Sequence, residues 1–599
     1  MGEYQSSQSM RRPNFLVIVA DDLGFSDCSC FGSEISTPNI DALAADGVRF
    51  TSFHVAAACS PTRAMLMTGT DHHLTGLGQL SEFVRSSPAH QGQPGHEGYL
   101  VDSVVALPEL LRDAGYFNVL SGKWHLGLNK KHGPAARGFD RSFALLPGCA
   151  NHYGYEPQYE DAVNEPPPFM ETAVTGLHSE NGEYVKNTPK DFYSSDFYSD
   201  KLIEYLSSRN EEEQAKPFFA YLPFSAPHWP LQAPKASVDK YRGLYSDGPA
   251  ALRERRLAKL KEMGLVAQDV VPHEVVSVEG EPPEWSQMVP EEREKSARCM
   301  EVFAGMVDRM DERIGKVINH LKETDQYDNT YIMFMSDNGA EGASYEASPV
   351  LGDSLIPHIQ KYYDNSLDNI GRANSFVWYG SRWAQASTAP GRLYKMYSTE
   401  GGCRVPLVVK PAVSDLRCAG SVTDAFCTVM DVVPTILELG GTKHPGGVYR
   451  GRKVQQVRGK SWGSFLDSLT QSDDIRNLTI HDDEHVTGWE ICGSGALRKG
   501  RYKITFVPRP RGPQRWELFD VVGDPGETRD IGPENPELLA TLLEAWDKYK
   551  KDVGVVGLAG EFDQAEQPVD EFEDFGKCIR FVGKDPSLVP ENLRHLVPT

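Results

Sequence analysis

No apolar run in this chain of 599 residues is long enough to cross a bilayer. The segment from Met1 to Pro13 is polar, and the apolar stretch after it, Asn14 to Ala20, is too short for a secretory leader. A cytoplasmic location is the expectation that follows, and under it the sequon Asn477-Leu478-Thr479 carries no glycan. Positive charge is scarce: 61 lysines and arginines stand against 84 aspartates and glutamates, a formal net charge of -23. That balance excludes nucleic acid and anionic membrane surfaces as main partners. Cysteine is sparse and scattered, at Cys28, Cys30, Cys59, Cys149, Cys299, Cys403, Cys418, Cys427, Cys492 and Cys578. None of these sits at common zinc spacing, so free thiols are expected. Internal repeats and long low-complexity segments are absent.

What the chain does contain is a set of short apolar runs that stop abruptly at polar residues. Asn14 to Ala20 is rich in β-branched residues and ends in Asp21-Asp22-Leu23-Gly24. This predicts a buried parallel strand with carboxylates at its C-terminal end. Two adjacent aspartates repel, and burying both is costly unless a cation offsets them, which points to a metal site. Thr330 to Ser336 is a second such strand and runs into Asp337-Asn338-Gly339. In open parallel sheets ligands bind beyond the carboxyl ends of the strands, so the two oxygen-rich pairs are expected to meet. Hard oxygen donors of this kind suit calcium, and magnesium less well.

Basic groups lie near other strand and helix ends. Cys59 opens a helix-like stretch, Ala58 to Gly69, that carries Arg63; a thiol beside a helix N-terminus and a guanidinium would be activated, but these two residues alone favour a buried structural cysteine at a loop-to-helix junction. In Val119 to Gly127, alternation places Lys123 and His125 on one side of an extended segment, and Gly122 and Gly127 permit close backbone approach. The apolar strand Pro217 to Phe224 leads into Ser225-Ala226-Pro227-His228-Trp229-Pro230, which holds His228 between prolines. Lys395 precedes Thr399-Glu400-Gly401-Gly402-Cys403. A small cationic pocket on an acidic protein is enough to attract an anionic substrate. Asp71-His72-His73 is read as polar packing beside the site. The ring-rich stretch Gly342 to Arg392, with Tyr362, Tyr363, Trp378, Tyr379 and Trp383, is read as an ordered excursion that shapes a pocket.

The remaining periodicities give helices at Thr37 to Ala44, Leu107 to Ala114, Ala251 to Met263, Ala297 to Leu321 and Val432 to Leu439, and a strand at Val48 to Phe53. Ser237 to Glu294 reads as a charged surface insertion. After Gly440-Gly441, strands are expected at Leu478 to Ile480, Ala496 to Arg498, Tyr502 to Phe506 and Glu517 to Phe519, then the turn Asp524-Pro525-Gly526-Glu527 and a helix over Pro536 to Lys550. The fold class is α/β: a large mixed, mostly parallel sheet sandwiched by helices, with a smaller C-terminal α+β domain. The expected divisions are 1–440, 441–555 and an acidic tail over 556–599.

Cys59-Ser60-Pro61-Thr62-Arg63, followed by Leu66 and Thr68-Gly69, resembles the signature of the type I, formylglycine-dependent sulfatases of the alkaline phosphatase superfamily. Gly122-Lys123-Trp124-His125-Leu126-Gly127 matches a second motif of that family. The resemblance runs from Asp21 to the Asp524–Glu527 turn and is closest to bacterial-type arylsulfatases, including Tyr363-Asp364-Asn365-Ser366 to Lys395. It implies an alkaline-phosphatase-like fold and oxidation of Cys59 to formylglycine (3-oxoalanine) by a separate generating system. It further implies a divalent cation held by Asp21, Asp22, Asp337, Asn338 and the modified Cys59. One hydroxyl of the hydrated aldehyde would bind the metal and attack sulfur. Arg63 would hold the hydrate, and Lys123 would neutralise it and the sulfate. His228 and Lys395 would bind the sulfate, one of them assisting departure of the alcohol. His125 would act as base on the second hydroxyl, so that sulfate leaves and the aldehyde returns. The implied substrate is a small sulfate ester, aryl first and alkyl second. Two rivals are a phosphate or phosphonate monoester hydrolase, whose relatives place histidine where this chain has Asn338, and a non-catalytic binding protein, which would need a damaged site.

Overall fold

The computed structural model describes residues 12–556, apart from 87–88, 156–175, 186, 279–280, 343–358, 360–361, 414–415, 472–474 and 476–477. Among the described residues, ten strands form one mixed sheet, in the order Ser421–Thr423, Val48–Phe50, Leu407–Lys410, Thr330–Ser336, Asn14–Ala20, Phe218–Pro223, Phe117–Lys123, Arg141–Leu145, His178–Glu180 and Glu183–Val185. The centre of the sheet is parallel, and antiparallel pairs flank it. Alternation along Asn14–Ala20 explains why the strand is apolar throughout. Leu16, Ile18 and Ala20 enter one core, and Phe15, Val17 and Val19 enter another on the opposite face. The 34-residue helix Pro290–Glu323 fills the first core with Met300, Phe303, Met306, Val307, Met310, Ile314 and Val317, as its periodicity predicts. The helix Cys59–Thr68 is buried along its whole length against the second. No helix among the described residues is long and apolar enough to cross a membrane. None of the nine cysteines among these residues is in a disulfide.

A four-stranded antiparallel sheet, Val486–Ile491, Ser494–Lys499, Tyr502–Phe506 and Trp516–Asp520, follows in chain order. The helix Pro536–Val553 lays Leu542, Trp546, Tyr549 and Val553 against Leu497, Ile504, Phe506, Trp516 and Leu518. The segment containing Trp462, Phe465, Leu466 and Leu469 packs into the second core of the large sheet.

Several sequence expectations are corrected. Leu478 to Ile480 is not a strand, whereas Val486–Ile491 is. Gly488 breaks the apolar alternation in Val486–Ile491 because a Cβ there would lie 2.5 Å from the Tyr549 ring. The strand expected over Val48 to Phe53 splits, since at Thr51 the chain leaves the large sheet so that Phe53–His54 can pair with Cys427–Thr428. Ser237 to Glu294 is more than a surface insertion. The helix Pro249–Glu262 buries Leu252, Leu257 and Leu260, and its Arg256 forms buried ion pairs with Asp27 and Glu34. The tail expected over 556–599 lies, beyond Val556, outside the described residues, as does 343–358 of the aromatic excursion.

The smaller sheet is fastened to the C-terminal end of the helix Cys59–Thr68 by a buried histidine. His73 places Nδ1 2.9 Å from Asp71 and Nε2 3.1 Å from Glu490 of Val486–Ile491. Tyr549 donates to the other Asp71 oxygen at 2.8 Å, and Gln79 donates to Glu490 at 2.7 Å. Asp71 and His73 thus serve to join the smaller sheet to the segment after the helix. Burial disfavours a charged ring here, but the hydrogen bonds and charges of Asp71 and Glu490 outweigh it and push His73 up to about 9. Folded protein therefore holds a proton that unfolded protein releases above about 6.5, so the contribution is complete below that pH and lost as pH rises through about 9. Its size is on the order of 3 kcal/mol. The thermal midpoint of the wild-type protein should fall more steeply between pH 6.5 and 9 than that of His73→Gln; parallel pH profiles would contradict a charged His73.

Candidate active site

Strand register decides where the polar ends meet. Ala20 lies opposite Ser336 and Val19 opposite Pro223, so three neighbouring parallel strands finish at one edge. The chain continues from them into Asp21-Asp22, Asp337-Asn338 and the His228 turn. Lys123 is the last residue of the next parallel strand. There Gly122, at φ 139°, has no room for a side chain: a Cβ would lie 1.9 Å from the Pro223 carbonyl oxygen. The helix Cys59–Thr68 starts at the same edge and delivers Cys59 as its first residue and Arg63 one turn later.

The side chains form one buried knot of charge. Lys123 Nζ grips both oxygens of Asp21, at 2.8 and 2.7 Å. Arg63 donates to Asp337 from Nε at 2.8 Å and to the Lys123 carbonyl at 2.9 Å. Lys395 Nζ lies 2.9 Å from Asp22 and 2.9 Å from Glu341. Asn338 donates to Asp22 Oδ1 at 2.7 Å, and the Asp22 backbone N–H donates to Asp337 Oδ1 at 3.2 Å. Cys59 Sγ is 3.8 Å and His228 Nε2 3.4 Å from the Asp22 carboxylate. Asp21, Asp22, Asp337, Asn338, Arg63 and Lys123 are no more than 1% exposed, and Cys59 is 2% exposed.

Burial sets the ionisation. Asp21 is pushed up to about 8 by desolvation and by Asp337, against the pull of Lys123 and Arg63. Too much negative charge is confined here for comfort. Desolvation also lowers His228, helped by Lys395 and Lys123, so its imidazole is neutral. Its Nδ1 sits 2.7 Å from the Trp229 carbonyl and is therefore the protonated nitrogen. Lys395 stays charged: burial opposes this, but Asp22 and Glu341 prevail. The Cys59 thiol is raised well above its ordinary value by burial, so the unmodified residue is a buried cysteine and not an activated one. Arg63 does not serve the thiol, because Asp337 and the Lys123 carbonyl occupy it.

The donor set fits a cation. Asp21, Asp22, Cys59 and His228 offer ligand atoms within 4.8 Å of one another. Asp337 touches the same cluster, and the Asn338 side-chain oxygen is buried beside it without a hydrogen-bond partner. An oxygen-rich set of three carboxylates and an orphaned amide oxygen can hold a hard divalent ion.

The structure therefore gathers Asp21, Asp22, Asp337, Asn338, Cys59, Arg63, Lys123, His228 and Lys395 through direct contacts. His125 is buried just past Lys123, but it does not continue the extended alternation. Its φ is 57°, and its N–H donates to the Leu146 carbonyl. Two residues were missed. Glu341, the partner of Lys395, stands three positions after Asn338, and that spacing could have raised it. Phe303 has the spacing of a core helix residue, yet its ring stacks on Tyr379 at 4.8 Å and it lines a cleft with Asp22, Trp229, Glu341 and Trp378.

Comparison with known proteins agrees with this geometry. Residues 13–442 match the family model Sulfatase. An uncharacterized sulfatase of Schizosaccharomyces pombe is 48% identical over 560 residues, covering 93% of this chain and 97% of that protein. The arylsulfatase of Klebsiella aerogenes is 35% identical over 436 residues, covering 72% of this chain and 87% of that one. The solved structure of Ps i-CgsB shares the fold, with a TM-score of 0.60 at 24% identity over 98% of this chain and 100% of that chain. Fold and relatives together define a sulfuric ester hydrolase of alkaline-phosphatase-like architecture. This chain belongs to the sulfatase family.

If the carboxylate knot takes up a divalent ion, chelator-treated protein should gain thermal stability when a divalent cation is returned. The gain should approach about 2.7 kcal/mol at a hundred times Kd, and Asp337→Asn should remove it. A wild-type midpoint indifferent to every divalent cation would mean that the lysines alone balance these carboxylates.

Proposed function

We propose that this sulfatase hydrolyses small aryl sulfates, using a formylglycine made from Cys59 and a calcium ion held by Asp21, Asp22, Asp337 and Asn338. The observation that carries the reading is the place of Cys59. It is a buried, protonated thiol 3.8 Å from Asp22 at the head of a helix, where an unmodified thiol is a poor nucleophile. Oxidised by a formylglycine-generating system and hydrated, position 59 would supply one hydroxyl to attack sulfur and displace the alcohol, and a second whose loss of a proton would let sulfate be expelled as the aldehyde re-forms. Calcium is favoured over magnesium because the donors are all oxygens on irregular loops, which suits a flexible coordination shell. When bound, the cation supplies a fixed positive charge beside the nucleophile, favouring its deprotonated form near neutral pH.

The chain's own residues divide the remaining work. Arg63, held rigid by Asp337, orients the hydrate. Lys123 receives the sulfate through its ammonium, and His228, whose Nδ1 proton is committed to the Trp229 carbonyl, joins it when Nε2 takes up a proton to donate. Lys395 keeps its proton between Asp22 and Glu341, so it is the charged donor that meets the departing oxygen. His125 takes the proton of the second hydroxyl. Removing one such preorganised charge contact commonly costs about 3 kcal/mol of barrier. Trp229, Phe376 and Trp378, with ring centroids 5.3 to 5.9 Å apart, form an apolar wall beside His228 that suits a planar aryl group.

Cys59→Ala should reduce hydrolysis of 4-nitrophenyl sulfate to background with an unchanged circular dichroism spectrum. Peptide mass spectrometry of the wild type should show the loss expected for thiol to aldehyde. Near-normal turnover by Cys59→Ala, or a kcat/KM for 4-nitrophenyl phosphate exceeding that for the sulfate, would overturn the reading.

A further inference from the structure

The smaller sheet sends one charged residue into the interior. Lys503, in the strand Tyr502–Phe506, is 0% exposed. Its Nζ lies 2.8 Å from Glu400 and 3.0 Å from Glu527. The Glu400 carboxylate also meets His54 Nε2 at 3.0 Å, and Glu527 accepts the Glu400 backbone N–H at 3.0 Å. Glu527 belongs to the Asp524-Pro525-Gly526-Glu527 turn and adopts a left-handed backbone, at φ 52°. Burial opposes ionisation of Glu400, but Lys503 and His54 hold its carboxyl well below the usual range, so the Lys503–Glu400 pair is charged. Buried ion networks of this kind are poor sources of stability, since apolar side chains of similar volume often do as well. Stability alone therefore does not explain the network.

Its location does. Glu400 begins a short turn that touches both halves of the active site. Gly402 accepts the backbone N–H of Gly339, the residue after Asn338, at 2.9 Å. Cys403 accepts the N–H of Val55 at 2.9 Å, on the segment that leads from His54 to Cys59. Five residues upstream of Glu400, Lys395 donates its backbone N–H to Ala340 at 3.0 Å, and Met396 donates to Ala57 at 2.7 Å. The turn cannot shift to accommodate error: a Cβ on Gly401 would fall 2.1 Å from the Leu393 carbonyl oxygen, and one on Gly339 would fall 1.9 Å from that of Gly401. The Glu400 carboxylate thus joins the strand entering Cys59 to the smaller sheet, and the turn it begins is tied by backbone bonds to the loop carrying Lys395.

We propose that Lys503 is a positioning residue for sulfate ester hydrolysis: braced by Glu527, it fixes Glu400, and Glu400 sets Lys395 and Asn338 against position 59. The inference rests on the reading of Lys395 as the donor to the departing oxygen. A misplaced Lys395 matters most when the leaving phenolate is a strong base, and matters little when it departs unaided. Loss of folded protein, in contrast, lowers activity toward every substrate equally.

The test measures kcat/KM of the full chain with 4-nitrophenyl sulfate and with 4-methoxyphenyl sulfate, for wild type, Lys395→Ala, Lys503→Met and Glu527→Gln. The expected result for Lys503→Met is a loss of about 10-fold or more on the methoxyphenyl ester, with a clearly smaller loss on the nitrophenyl ester. Glu527→Gln should show the same bias at smaller amplitude, and it decides the matter if Lys503→Met does not fold. Lys395→Ala should show the strongest bias. If Lys395→Ala is biased but Lys503→Met and Glu527→Gln lose equally on both esters, or lose nothing, the positioning role is wrong while the reading of Lys395 stands. If Lys395→Ala shows no bias, that reading fails and the inference falls with it.

Discussion

Everything in this protein is arranged around the contact between Lys123 and Asp21 and its two companions, Arg63 with Asp337 and Lys395 with Asp22. Three carboxylates and three cations lie almost fully buried at the foot of a cleft lined by Asp22, Glu341, Trp229 and Trp378. Alone, each carboxylate would be driven to protonate, and the rise of Asp21 to about 8 shows how near that limit the cluster lies. Lys123 and Arg63 pull Asp21 back only in part, and a divalent cation added to the cluster would keep it ionised near neutral pH. The clustered charges give an acidic protein of net charge -23 a local site fit for an anion and a divalent cation together. The rest of the fold holds these ends in register.

The large sheet does this through its parallel centre. Strands that read as unbroken apolar runs are buried on both faces, and their polar ends emerge at one edge because their pairing is aligned there. The helix Cys59–Thr68 needs its complete burial for the same reason, since a helix free to slide would carry Cys59 out of reach of Asp22. The smaller sheet contributes by a different route. It reaches the large sheet through His73 and Glu490 on one side and through Lys503 and Glu400 on the other, both of them buried and ionic. Such contacts are directional, and they suit the task of fixing one body against another better than apolar packing does.

The elements that could be read from sequence were those with a single dominant signal. The runs Asn14–Ala20 and Thr330–Ser336, each stopped by oxygen-rich pairs, announced both the sheet and the candidate cation site. The Cys59–Arg63 string and the Gly122–Gly127 string identified the family that the comparisons show. What escaped depends on contacts distant in sequence. Val486–Ile491 was hidden because Gly488 makes room for Tyr549, and that ring arrives from a helix some sixty residues later. The unmodified Cys59 is not activated because it is buried, and Arg63 is claimed by Asp337 and the Lys123 carbonyl. Glu400 and Glu527 stand in strings that the sequence singles out, but nothing pairs them with Lys503 until the fold brings the three together. His125 was placed by alternation, but a left-handed turn puts it where it lies.

The account holds that these carboxylates and cations form one compound site for a cation and a sulfate. The most direct test is a crystal structure of the protein soaked with calcium and sulfate. The account predicts a calcium ion at about 2.3–2.6 Å from oxygens of Asp21, Asp22, Asp337 and Asn338. It also predicts a sulfate between that ion, Lys123, His228 and Lys395, next to position 59. A calcium ion bound elsewhere, with Lys123 and Lys395 still clasping Asp21 and Asp22 and no sulfate near Cys59, would contradict it.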